Sequence, residues 1–517
     1  MAVAKEELLR WMGRPSLLGS EEEVPPEVPP PPYFQDLLLD ELEGLFLASQ
    51  DGFGLLSFFR NLPNHKTAVL HRQAVCRELE GKASSLRGFL RSMEEVRGRL
   101  GLSQKARHPW QKALYHLQAA RAYLAGVGAL GRDWSLLPPH SPGLRAYAAH
   151  LEAYLQSPGF SNLRREAETV WQDLQGLRYV LHVHEGRLTL RAYQGEGDYG
   201  RRIMDTFRPF FGPSSPTFPE PGMEEGPILN HIEEWLLDHL ALLFPGPFAR
   251  LQSFFATHQG FLDPVLARLE REVRFFLAYL DFLSPLRAAG LPFTYPEPAD
   301  TPPFFVEGAF DLVLAAKLVA EGKVPIPNDF RVEREHILVI TGPNQGGKTT
   351  FARMVGQVHH LFSLGLPVPG RRARLLLPDQ ILSHFEVREN PEDLRSKLES
   401  DLLRLRDILE QATARSLLIL NEPLASATLV DARMIGRFLL EKIRDKGSLA
   451  LVVTFLDELA RLPGTRSLVA EVDPSDPSRR TFHIREKPAE GKAYALALAA
   501  RHGLTDEALK RRLGGGA

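Results

Sequence analysis

Between Ile340 and Thr350 the chain reads ITGPNQGGKTT. A glycine, four residues, then Gly-Lys-Thr is the spacing that wraps backbone around a phosphate. Gly342, Gly346 and Gly347 let the chain curl so that successive amides point inward, with Pro343, Asn344 and Gln345 forming the body of the loop. Lys348 is long enough to reach a β- or γ-phosphate, and the Thr349 hydroxyl, followed by Thr350, suits Mg²⁺. The chemistry predicted is the binding of ATP with Mg²⁺. Read blandly, the same residues would make a glycine-rich turn with a solvent-facing lysine.

The loop needs a strand before it and a helix after it. Ile337-Leu338-Val339-Ile340 reads as a buried strand, while Phe351, Val355, Val358 and Phe362 mark one helical face. The helix N-terminus adds a partial positive charge toward a phosphate. Further on, Ser416–Leu420 is a second buried-strand candidate, ending at Asn421-Glu422. Leu398, Leu402, Leu405 and Leu409 share a helical face, and Ser396-x-x-Glu399 has the form of a capping box. Apolar runs alternating with helices predict a mostly parallel sheet flanked by helices.

Upstream the organisation differs. Residues 21–32, EEEVPPEVPPPP, read as an extended linker tethering a loosely docked arm, or as a Pro-rich ligand for a partner, so 1–32 form an N-terminal arm. Helical periodicity fills 33–128, 141–176 and 228–286, with breakers expected at Pro63, Gly81, Gly101 and Pro285. Residues 177–193 alternate about a Glu-Gly turn and predict a β-hairpin. His182 and His184 share a face of it; with no third ligand near, a solvated face is expected rather than a metal site. The proline-rich run 292–303 places the main boundary at 290/291, giving a helical domain over 33–290 and an α/β domain over 291–517.

Pro343-Asn344 and the doubled Gly346-Gly347 resemble the loop of the MutS family of mismatch-repair ATPases. Asp379–Leu382, Leu394–Leu398 and Gly491–Ala497 continue the likeness, and Leu277–Leu283 is similar to the end of that family's lever helix. The resemblance implies a multidomain α + α/β protein, with a helical lever-like domain carrying a small β insert and a C-terminal ABC-type P-loop ATPase domain. It implies that Glu422 orients or deprotonates the attacking water. Where the family has an aspartate that steers Mg²⁺, this chain has Asn421, which keeps an oxygen and drops the charge. Where the family has a histidine sensing the γ-phosphate, this chain has Phe455, which makes no hydrogen bond. Slow hydrolysis is therefore expected. Ser396 matches the serine that approaches the ATP of a second subunit, and Asp431 matches a residue that crosses the dimer, so a homodimer with composite ATP sites is implied. Both also have local readings as helix-terminal residues. No Gly-x-Phe-Tyr-Glu stretch occurs near the start, and residues 1–32 leave no room for the mismatch-binding domain, so the expectation is a reduced member acting without that wedge.

With 517 residues the chain is too long for one core. Lys and Arg number 62 against 64 acids, so any nucleic-acid contact must be a local patch. Arg187 and Arg191 on one hairpin face are candidates; Arg371-Arg372-Ala373-Arg374 and Lys510-Arg511-Arg512 read as solvated surface. The single cysteine, Cys76, permits no intrachain disulfide and fits a reducing compartment. No secretory signal or membrane span is read, so the cytoplasm is the default. Three functions stay open: a DNA clamp driven by ATP, a nucleotide-held switch binding a protein partner, and a clamp directed at RNA or the ribosome.

Overall fold

Ile337–Thr341, Leu417–Asn421 and Leu449–Val453 are buried at every position. Strands covered on both faces read as continuous apolar runs, and these pair in parallel. The computed structural model describes residues 15–19, 28–50, 52–63, 65–185, 187–197, 229–386, 397–473, 475 and 479–489. Its main sheet has the order Ile381–Phe385, Leu417–Asn421, Leu449–Val453, Ile337–Thr341, Thr465–Val472, Arg480–Glu486, with only the last pair antiparallel. On one face Leu418, Leu420, Ala450 and Val452 pack with helices Lys397–Gln411 and Leu429–Lys446. Ile419, of opposite parity, faces the helix Lys348–Ser363. A four-stranded sheet adjoins in sequence: Glu297–Ala299, Arg372–Leu376, Phe304–Ala309, Asn328–Val332.

The described chain falls into two compact units. One contains the residues up to Gly81, Ser141–Leu144 and those from Arg271 onward; the other contains Lys82–His140 and Arg145–Glu270. The contacts therefore divide the chain elsewhere than at residue 290. The helix Tyr33–Leu37 lies against the strand Ile381–Phe385 and the helix Lys348–Ser363. Tyr33, Phe34 and Phe59 surround the His360 ring, and the Tyr33 hydroxyl lies 3.3 Å from its Nδ1. Periodicity names an apolar face but not the surface it meets, which is why the sequence grouped these helices with the wrong neighbours.

Residues 15–19 of the arm are better held than expected. Leu17 is fully buried, Ser16 donates to Glu272 at 2.9 Å, and Arg72 donates to the Leu18 carbonyl at 2.9 Å. Two expected breaks do not occur. Gly101 lies inside the helix Ser84–Lys105, and Pro285 lies inside Pro264–Ala288. A proline removes one donor, and so near a helix end only a single bond is lost; Ala289 still bonds back to the Pro285 carbonyl at 3.1 Å.

In the second unit, Ser84–Lys105 and Pro109–Leu136 pack along one another, followed by Pro158–Gln175, His231–Leu243 and Pro245–Thr257. The hairpin pairs Tyr179–His184 with Arg187–Ala192, turning at Glu185. Val180, His182, His184, Arg187, Thr189 and Arg191 share one face, and Leu188, Leu190 and Ala192 on the other are half-buried. Arg191 donates to His182 Nε2 at 2.8 Å, which engages that ring nitrogen. No described helix is long and apolar enough to cross a membrane.

Candidate nucleotide site

Three residues of the loop take left-handed backbone: Gly342 (φ 119°), Gln345 (φ 60°) and Gly347 (φ 90°). Gly342 has no alternative, because a Cβ there would lie 3.0 Å from the Ala470 backbone. At Gly346 a Cβ would come within 2.9 Å of the Pro343 carbonyl, the same carbonyl that accepts the Gly346 amide at 3.2 Å. The helix Lys348–Ser363 starts directly from Gly347, and no side chain caps it. Lys348 is buried and bends over the loop, donating to the carbonyls of Gly342 (3.0 Å) and Pro343 (3.1 Å). Burial lowers its pKa and the carboxylate of Glu422 opposes that shift. A cation held in a curl of backbone is suited to a polyanion.

The strand Leu417–Asn421 delivers its last residue to the same place. Asn421 is buried and its Oδ1 accepts the Thr349 hydroxyl at 3.1 Å. Two oxygen donors side by side fit Mg²⁺, a hard cation that takes oxygen ligands and keeps several waters. Glu422 follows in left-handed backbone (φ 51°), its amide fixed to the Val453 carbonyl at 2.9 Å. That turn swings a half-buried carboxylate into the cavity beside Lys348. Phe455 lines a small hollow together with Glu422 and is 48% exposed. Asp431 sits in the first turn of Leu429–Lys446, where it accepts the hydroxyl of the capping residue Thr428 at 2.7 Å, as in its local reading. Ser396 lies outside the described residues, as do residues 491–497 and 510–512.

Gly346 to Thr350 and Glu422 form one side of an open cavity of about 630 Å³, a size usual for small-molecule sites. Sequence reasoning missed the other side: Phe310, Leu314, Leu318, Val324, Ile326 and Phe482. These come from four segments, so no local pattern groups them. In the fold Val324 and Ile326 are apolar yet exposed, at 54% and 44%. Phe482 is held by Asn328, whose Nδ2 donates to the Phe482 carbonyl at 3.0 Å and whose Oδ1 accepts Ile484 N at 2.7 Å. Phe482 is itself left-handed (φ 61°) and half exposed, facing Gly347 at 3.7 Å from its virtual Cβ. The cavity is thus lined by both the polar loop and apolar side chains.

Outside this site two arginines of the basic cluster are engaged by their neighbours. Arg372 forms a two-point pair with Glu307, and Arg374 donates to the carbonyls of Thr301 and Pro303.

Strand, glycine loop, helix and a polar strand-end one strand removed define a P-loop α/β domain. The family model for MutS domain V matches residues 338–511, about a third of the chain. It is 29% identical over 190 residues to the Endonuclease MutS2 of Thermus thermophilus, covering 36% of this chain and 25% of that one. Against the DNA mismatch repair protein MutS of Carboxydothermus hydrogenoformans it is 27% identical over 246 residues, 46% of this chain and 29% of the relative. With the MutS of Oleidesulfovibrio alaskensis the identity is 35% over 144 residues, 27% of this chain and 16% of the relative. The chain thus spans between a sixth and a third of these relatives' length.

Proposed function

We propose that this chain is a slow, Mg²⁺-dependent ATPase that works as a MutS-type clamp on DNA, paired with a second copy of itself and without the mismatch wedge. The observation carrying this reading is one cavity lined by the curled glycine loop, Lys348, Glu422 and a set of apolar side chains. The loop amides and Lys348 bind the phosphates, and the base lies against Phe482 and Ile326. Thr349 and Asn421 hold Mg²⁺, which when bound neutralises phosphate charge. Glu422 orients the attacking water. A charged carboxylate at position 421 would add a few kcal/mol of attraction to the ion, on the order of 4 kcal/mol per unit charge at 4 Å with a dielectric near 20. Its absence, with the non-polar Phe455, makes hydrolysis slow. Ser396 and Asp431 would meet the nucleotide site of the second copy.

The match of residues 338–511 to MutS domain V supports the ATPase part, and the relatives' printed names support DNA as the substrate. The basic face of the hairpin supplies Arg187 and Arg191 for phosphate contact without base reading. One observation favours a partner protein instead: Val430, Met434 and Phe438 are exposed at 71%, 67% and 56%, four residues apart along one helix.

Calorimetric titration with MgATP tests the site. Wild type binds, and Lys348→Ala loses at least 100-fold in affinity; a variant that bound normally would remove the assignment. Duplex-DNA binding measured from 50 to 300 mM salt tests the clamp. A steep decline with salt, stronger with ATP, supports it, and a flat response turns the reading toward the protein partner.

A further inference from the structure

Asp36 and Leu37 bond to three separate parts of the scaffold under the nucleotide site. Leu38 takes left-handed backbone (φ 56°), which breaks the helix Tyr33–Leu37 and leaves the carbonyls of Asp36 and Leu37 free to accept from outside. Arg353 Nε donates to the first at 3.1 Å and Gln357 Nε2 to the second at 3.0 Å. Those two side chains stand one turn apart on the helix that begins at Lys348. The Asp36 carboxylate, 10% exposed, accepts Ser383 Oγ at 2.7 Å from the strand Ile381–Phe385. The same oxygen accepts Arg404 Nη2 at 2.6 Å from the helix Lys397–Gln411, and Arg404 also donates to the Ser383 carbonyl.

The connection runs on toward Glu422. Asp401, one turn before Arg404, accepts Ser426 Oγ at 2.8 Å, in the loop that leaves Glu422. Its other oxygen lies 3.3 Å from Nε2 of the buried His384. A half-buried Arg–carboxylate pair with further hydrogen bonds holds geometry in a way that an exposed pair does not.

We propose that Asp36 is a positioning residue for ATP hydrolysis: through Arg404 it fixes the helix Lys397–Gln411, and through Asp401 and Ser426 that helix fixes the loop carrying Glu422. The proposal rests on the ATPase reading above. Asp36 touches no nucleotide, so its loss acts on turnover and not on binding.

The test compares wild type, Asp36→Ala, Arg404→Gln and the double variant. Three quantities are measured: Kd for MgATP, kcat for hydrolysis, and amide exchange over 397–411 and 423–428 in nucleotide-free protein. Expected are Kd values within twofold of wild type, kcat reduced about tenfold in each single variant, and a double variant no slower than either single one. Exchange over both segments rises at least tenfold, while that of 417–421 is unchanged. Unchanged kcat in a folded variant overturns the proposal. So does a Kd that weakens in step with kcat, which would mark general loosening of the fold. Unchanged exchange in 397–411 removes the structural link itself. Wild type that binds no MgATP is a separate result: it ends the ATPase reading, and the exchange measurement still decides whether Asp36 holds the helix.

Discussion

The Thr349 hydroxyl donates to Asn421 Oδ1 at 3.1 Å, joining the first turn of the loop helix to the end of a strand that is two places away in the sheet. In the proposed function both oxygens belong to the Mg²⁺ environment. Asn421→Asp restores a charge without changing shape. The Mg²⁺ concentration for half-maximal activity is expected to fall by about tenfold, equal to roughly 1.4 kcal/mol, with a rise in kcat. Magnesium titrations of the ATPase rate check this, and identical curves would take Asn421 away from the metal.

Phe482 gives a second test. Base–aromatic stacking is worth about 1–3 kcal/mol, so Phe482→Ala should weaken MgATP by roughly 5–150-fold. Binding of inorganic triphosphate should be unaffected, because the loop amides and Lys348 are untouched. Competition titrations with both ligands separate the two ends of the cavity. Equal losses for both would mean that Phe482 supports the loop and not a base.

His359 makes acid stability predictable. The ring is fully buried, and burial lowers its pKa to about 4 despite the hydrogen bond to Val355. Below pH 6.5 the unfolded chain takes up a proton that the folded chain refuses. The stabilisation is therefore complete above about pH 6.5 and is lost as pH falls toward 4. His359→Phe removes the titration. The difference in unfolding free energy between pH 7 and pH 4.5 should shrink by about 2–3 kcal/mol in urea titrations.

Gly356→Ala sets two magnitudes against each other. In an open helix alanine would stabilise by about 1 kcal/mol. Here a Cβ would come 2.5 Å from Leu37 Cδ1 and 2.8 Å from Ile419 Cδ1, and overpacking costs about 1–3 kcal/mol. Packing wins, so the variant should melt lower. Adding Leu37→Ala to it should cost less than Leu37→Ala costs alone in wild type. A stabilised Gly356→Ala protein would show that Leu37 does not fill that notch.

The phosphate loop was legible because its chemistry is contiguous: eleven residues specify strand end, turn and helix start together. Asn421-Glu422 was legible for a related reason, since an unbroken apolar run points at its own polar end. The apolar lining was not, because Phe310, Ile326 and Phe482 are joined only by tertiary packing. Nor was the place of Tyr33–Leu37, whose pattern gives a buried face and no address. Pro285 and Gly101 were misread because a breaker's cost is small against the packing of a 25- or 22-residue helix.

The helix Tyr33–Leu37 has a further consequence for how the protein is made. Its surface on Gly356 and the strand Ile381–Phe385 lies more than three hundred residues downstream. At about 5–20 residues per second a ribosome needs roughly 15–60 s to supply it. For that interval Leu37 is without the notch at Gly356 that seats it, so a helix made well before its own seat must wait for it.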